Sequence, residues 1–261
     1  MDTGAAIRFA ILAGEIMLSS GAETYRVEDT MQRILQRCDV RDAESLCTST
    51  SIFASATDDS GTPTTMLKRV KKRGVNFARV AQVNQLSRSF VGGEIGIDEA
   101  INALEDITTT PPYPNIVRLT GSAVASLCFA AMFGGSAMDA LTAFISAFMM
   151  QIPVIFLEKR NVAGVLRNIA GGGFGALFAI LLMTAGMGNN LDFVIIGSIM
   201  PLVPGVSLTN AIRDILDGDL LSGSARILDA FLVAIGIAAG VGTVLTLWIS
   251  LFGPVAGGVA L

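Results

Sequence analysis

The chain has 261 residues, of which 52% are apolar and only 15% charged, and its mean hydropathy is +0.62. Soluble domains carry about 25% charged residues, so the composition excludes an ordinary water-soluble enzyme. A net charge of −4 and an isoelectric point near 4.9 speak against nucleic-acid binding, and the absence of histidine removes Ser-His-Asp and Cys-His catalysis and HExxH metal sites.

The charges are unevenly placed. Residues 1–110 hold 12 Lys/Arg and 15 Asp/Glu, whereas 111–261 hold 6 and 7. The division expected is a cytosolic α/β domain over 1–110, a Pro-rich link over 111–115 and a membrane domain over 116–261. Asp2, Arg8 and Glu15 interrupt any early apolar run, so no signal peptide is expected. Ile7, Ile11 and Leu18 set a helix over 4–19. Ser20 with Glu23 fits a capping box for a second helix, which Val27, Met31, Ile34 and Cys38 continue on one face. One alternating strand is expected over 44–56, a turn at Asp58–Gly61, and a second strand over 62–70. Two further helices fit 75–91 and 98–108, separated by Gly92 and Gly93. The basic run 68–73 reads as a solvated strand face, with attraction to lipid headgroups as the alternative. Cys38, Cys47 and Cys128 form no CxxC pair and read as ordinary buried thiols.

In the apolar half, charges act as rulers. Uncharged windows of 20, 18, 24 and 20 residues separate Arg118, Asp139, Glu158, and then Arg167, Asp192, Arg213; a further 32 run from Ala230 to Leu261. A bilayer core takes about 20 apolar residues of helix, so five spans are expected. With the N-terminal domain inside, Arg118, Lys159, Arg160, Arg167, Arg213 and Arg226 all fall inside, and the outer loops hold no basic residue. The fold class is therefore an α-helical integral membrane protein with an N-terminal α/β cytosolic domain, five transmembrane helices, and the N-terminus in and C-terminus out. An odd number of spans suits half of an inverted-repeat transporter, with a partner supplying the other half; a homo-oligomer is the alternative.

The fourth span carries Pro201, Pro204 and Gly205 near its middle, so the helix should kink or break there. Transporters place binding sites at such breaks. Ser207, Thr209 and Asn210 follow with hydroxyl and amide groups, and Asn210, Arg213, Asp214 and Asp217 share one helical face. The candidate substrate site is thus Pro201, Pro204, Gly205, Ser207, Asn210, Arg213 and Asp214. A packing kink followed by an interfacial helix, with Arg213 and Asp217 paired in water, is the competing reading. Asp214 and Asp229, at the borders of spans, are carboxylates that carry protons or are merely solvated helix-end charges. Gly171–Gly173, Gly175, Gly236, Gly240 and Gly242 provide GxxxG spacing for close helix packing, with a pore wall as the alternative. No Walker A sequence is present, and no cofactor or metal is expected.

Two segments, LAGEIMLSSGAETYRVEDTM and PLVPGVSLTNAIRDILDGDLLSGSARILDA, resemble the threonine/serine exporter family, and their spacing matches as well. The resemblance implies a cytosolic domain followed by spans that export small solutes, coupled to the proton gradient. Fused members have about twice as many spans; split members pair a chain of this layout with a short all-membrane companion. The chain resembles the large subunit of a split pair in the bacterial-type inner membrane, exporting threonine, serine or a dicarboxylate such as succinate. Gly14, Glu15, Gly21, Ala22, Arg26 and Glu28 match the family pattern, and Glu15, Gly21, Arg26 and Glu28 are the cytosolic-domain candidates, with Glu15, Arg26 and Glu28 as a polar cluster near the cytosolic mouth or, alternatively, Arg26 pairing with another helix to lock the domain. Two other readings compete. One is a membrane-embedded or cytosolic hydrolase, for which no base is evident. The other is a sensor or scaffold whose N-terminal domain binds a ligand.

Overall fold

The computed structural model describes residues 2–71, 74–109 and 113–253. Parts of the Pro-rich link (111–112), of the basic run (72–73) and of the last span (254–261) lie outside the described residues. The chain forms two compact units, Met1–Pro111 with Gly205–Asp229, and Pro112–Pro204 with Ala230–Leu261.

In the first unit, α1 (Thr3–Ser19) is nearly apolar all round and forms the centre of the core. Phe9, Met17 and Leu18 are sealed against Met31, Ile34 and Leu35 of α2 (Thr24–Arg37). Ile52, Val83 and Leu104 complete the cluster, and Phe9 meets Phe90 edge-on at 4.9 Å. Where one strand was expected over 44–56 there are two, β1 (Arg41–Cys47) and β2 (Ser51–Thr57), paired antiparallel. The hairpin needs no Gly or Pro, because Thr48 Oγ1 accepts from the Thr50 and Ser51 amides. β3 (Pro63–Arg69) follows the expected Asp58–Gly61 turn and completes the order β1-β2-β3. Helices α3 (Phe77–Val91) and α4 (Ile97–Thr109) close the unit's N-terminal part.

The expected Ser20 capping box is not formed. Ser20 instead ends α1, with Gly21 at φ +89° directly after it. The Gly21 amide donates to Leu18 O and the Ala22 amide to Met17 O, the bond pair of a helix terminator that favours glycine. A Cβ on Gly21 would also lie 3.0 Å from Gly74 O.

The second unit contains α5 (Asn115–Met132), α6 (Ala137–Lys159), α7 (Gly164–Thr184) and α8 (Leu191–Ile199), followed by a 3-10 turn at Met200–Leu202. It also contains α10 (Leu220–Phe252) from Ala230 onward. Four helices, α5, α6, α7 and α10, are long and apolar enough to cross a membrane, and α8 with the helix after it makes a fifth candidate if counted as one bent span. The core is built from small side chains, Ala130, Ala143, Ala176 and Ala179, around Ile180 and Val194. Asp139 closes a capping box with Ser136 and accepts from the Asn189 and Asn190 amides at 2.6 and 2.9 Å. The α5–α6 turn and the α7–α8 loop therefore share one end of the bundle. Arg118 pairs with Glu158 at 2.6 Å where α5 begins and α6 ends. The glycine spacing serves packing. A Cβ on Gly172 would collide with Ile237 O, and one on Gly240 with Ile169 O. Cys38 and Cys47 are buried as expected, but Cys128 is exposed on α5, where its neighbour Val124 also faces outward.

Candidate functional site

The fourth apolar segment breaks where its prolines lie. Helix α8 gives way to the 3-10 turn, Val203 is extended, and α9 (Gly205–Leu216) starts immediately after Pro204. Proline fixes φ and lacks the amide donor that an interior helical turn uses, so Pro201 and Pro204 account for the break. Within the first unit, α9 meets the loop joining α1 to α2.

Four consecutive residues, the loop's Gly21–Glu23 and Thr24 at the start of α2, bind this segment and the start of α10. The Asn210 side-chain amide donates to Gly21 O at 2.8 Å. Arg226 Nη2 donates to Ala22 O at 3.0 Å. Arg213 Nη1 bonds Glu23 Oε1 at 2.6 Å. The Thr24 amide and hydroxyl donate to Asp214 Oδ1 at 3.1 and 2.7 Å. Asp214 thus caps α2 from another helix, where Glu23 makes no side-chain cap of its own; a carboxylate there also suits the positive end of the helix. The second oxygen of Asp214 lies 2.9 Å from Arg226 Nε, with the two side chains 0% and 10% exposed. Asp219 holds the Ser222 amide at the start of α10, and Ser222 Oγ accepts from the Ser49 amide.

The predicted residues therefore divide. Asn210 and Asp214 are buried and turned into the first unit, whereas Ser207 is half-buried and Arg213 stays 54% exposed on its side chain. Arg213 pairs with Glu23 rather than with Asp217, which is exposed, unlike the pairing of the competing reading. Pro201 lies in the 3-10 turn and Pro204 just before α9, both in the second unit. Glu15, Arg26 and Glu28 do not form one polar cluster. Glu15 pairs with Lys68 at 3.1 Å, Arg26 with Glu23 at 3.4 Å, and Glu28 accepts from the Cys47 amide at 2.6 Å. Sequence reasoning missed Glu23, Thr24 and Arg226. The signal available was the polar pair Glu23-Thr24, with one residue between it and the helix-ending Gly21.

Two carboxylates on this loop side are shifted in opposite directions. Burial pushes Glu23 up, but its own backbone amide, the Arg213 hydrogen bond and the charges of Arg26 and Arg213 outweigh it and hold the carboxyl below its ordinary value. That stabilisation is present at neutral pH and is lost as pH falls through the lowered value. Glu28 is raised, chiefly by burial and further by the charges of Asp219 and Asp214, against the Cys47 amide bond. Its ionised form is therefore a cost at neutral pH that disappears as the group protonates. Glu28→Gln keeps an acceptor for the Cys47 amide, so the variant is expected to melt higher than the parent at pH 7. The difference should shrink as pH falls into the carboxylate range. Thermal unfolding across pH checks this, and an unchanged or lower melting point at pH 7 would contradict it.

Among the described residues, no group of three or more His, Cys, Asp or Glu side chains is placed to hold a metal ion.

The profile of the family described as "Putative threonine/serine exporter" matches residues 8–248. The chain is 26% identical over 243 residues to a protein of Mycobacterium tuberculosis named "Probable threonine/serine exporter", covering 92% of this chain and 46% of that one. It is also 26% identical to the "Threonine/serine exporter" of Corynebacterium glutamicum, covering 90% and 50%. The chain thus spans about half the length of these two curated relatives. Against the "Probable succinate transporter subunit YjjP" of Escherichia coli it is 23% identical, over 94% of this chain and 95% of that one. No solved structure matches. The two segments that bind each other through Gly21–Thr24 and Asn210–Arg226 both lie inside the matched residues, and the chain belongs to the threonine/serine exporter family.

Proposed function

We propose that this chain is the larger half of a two-chain secondary transporter that exports small carboxylate-bearing metabolites, either threonine and serine or a dicarboxylate such as succinate. The observation that carries the reading is the interruption of the fourth apolar segment at Val203–Pro204, with a new helix starting at Gly205. A restarting helix leaves its first amides without partners in the helix and offers its positive end to an anion. In this proposal the substrate meets the start of α9 at Gly205 and bonds to Ser207, while the exposed part of the Arg213 guanidinium attracts its carboxylate. Asn210 and Asp214 hold α9 in place from the protein side.

The N-terminus is inside and the C-terminus outside, which puts all six basic residues of the apolar half on the inner side. The membrane is the bacterial inner membrane, and the proton gradient drives export. A short all-membrane companion supplies the second half. The E. coli relative, matched over nearly its full length, carries the word "subunit" in its name, which supports a multi-chain assembly.

The test is substrate affinity in reconstituted vesicles. Arg213→Gln is expected to lose one charged hydrogen bond to carboxylate, ~1.5–3 kcal/mol or roughly ten- to hundredfold in affinity. Arg213→Lys should also weaken binding, since an ammonium lacks the planar fork. Glu23→Gln separates substrate contact from the loss of the Arg213–Glu23 pair. If Arg213→Gln left the apparent affinity unchanged, Arg213 would have no part in the site.

A further inference from the structure

Helix α9 is amphipathic in the wrong sense for a water-soluble unit. Helices on soluble domains turn their apolar stripe inward. Here Asn210 and Asp214 are the buried residues, together with Ala211. Leu208, Ile212 and Leu216, at i, i+4 and i+8, face outward with 47%, 50% and 79% of their surface exposed. Leu220 and Leu221, at the start of α10, are 64% and 76% exposed. The exposed Thr209 hydroxyl beside the stripe is satisfied within the helix by Gly205 O at 3.0 Å. The outward face therefore makes no demand for water. Arg213 and Asp217 flank it, at the border between the apolar and polar sides.

We propose that α9 lies in the headgroup–acyl boundary of the bilayer as an interfacial helix, with Leu208, Ile212 and Leu216 in contact with lipid and its polar side held by the N-terminal unit. What identifies lipid as the occupant is chain continuity. Only Val203 and Pro204 separate α9 from the turn that ends an apolar segment, and α10 runs on as a 33-residue apolar helix. A helix tethered at both ends to membrane segments meets lipid before any other apolar surface. Interfacial helices bury an apolar face ~5–10 Å into this boundary and keep charges level with the headgroups. The inference rests on the membrane reading of the chain, and it places α9 at the bilayer surface where the fourth apolar segment ends.

The experiment uses the full chain in phosphatidylcholine–phosphatidylglycerol vesicles, with Cys128→Ser removing the exposed native thiol. Spin labels are placed by Ile212→Cys and Leu216→Cys, with Phe231→Cys as a control on the apolar part of α10 and Glu99→Cys as an aqueous control. Collision of each label with oxygen and with a water-soluble nickel complex is measured by power saturation. The expected result is that 212 and 216 behave like 231, favouring oxygen. A label at 212 or 216 that behaves like 99 would overturn the proposal, and so would protection from both reagents, which means a protein surface covers the stripe. Should labelling disturb folding, Leu216→Trp in a Trp248→Phe background is measured with acyl-brominated lipid. Quenching is expected, and its absence would overturn the assignment. Neither readout depends on transport, so failure here and failure of the exporter reading are separable.

Discussion

Asp214→Ala is expected to cost the first unit about 3–5 kcal/mol, the range for removing one partner of a buried ion pair. Asp214 is fully buried, and the Arg226 side chain beside it is only 10% exposed. The substitution strands that guanidinium and also removes the acceptor for the Thr24 amide and hydroxyl. Typical domains hold a stability of ~5–15 kcal/mol, so a large share would be lost. Thermal unfolding of detergent-solubilised protein should show a strongly lowered transition, or folded protein should fail to accumulate. Asp214→Leu combined with Arg226→Met leaves no unpaired charge and should recover much of the loss. An Asp214→Ala protein that melts with the parent would mean the pair is not formed as described.

The second large effect is expected at Gly240. A Cβ there would run into the Ile169 carbonyl and lie 2.7 Å from the Gly173 amide nitrogen. These are backbone atoms of α7, so no side chain can turn away. Small residues let helices in membranes approach this closely, and overpacking costs ~1–3 kcal/mol or more. Gly240→Leu should separate α7 from α10 and lower the unfolding transition clearly, with Gly240→Ala intermediate. Gly242 is the internal control. It lies two residues away and has nothing within 4 Å of its Cβ position, so Gly242→Ala should be neutral or mildly stabilising. Equal effects at both positions would contradict the α7–α10 contact.

The legible features of the sequence were those set by local chemistry. Charges cannot sit cheaply in hydrocarbon, so their spacing marked where apolar helices begin and end. Pro201 and Pro204 announced the broken segment because no partner can supply the amide that proline lacks. The β1–β2 hairpin was hidden because Thr48 makes its turn with a hydroxyl, and no glycine or proline flags it. The Ser20 capping box failed for a related reason. Ser20 belongs to the end of α1, and the start of α2 is capped by Asp214, 190 residues away. A sequence pattern reads neighbours within a few positions, whereas the contacts of Gly21–Thr24 with Asn210–Arg226 are set by tertiary packing. For the same reason Asp214 looked like a solvated helix-end charge, and its burial against Arg226 was invisible. The two family-like segments were recognisable separately; their mutual binding required the structure.

The proposed two-chain exporter is tested by an export profile. The chain is expressed with and without a short all-membrane family companion in cells lacking their own exporters, and the cells are loaded with threonine, serine and succinate. Extracellular appearance of each is followed over time. Release of a carboxylate-bearing solute is expected only when both chains are present, and is expected to be lost with Arg213→Gln. No release of any of the three, with both chains verified in the membrane, would contradict it; release by this chain alone would contradict the two-chain part.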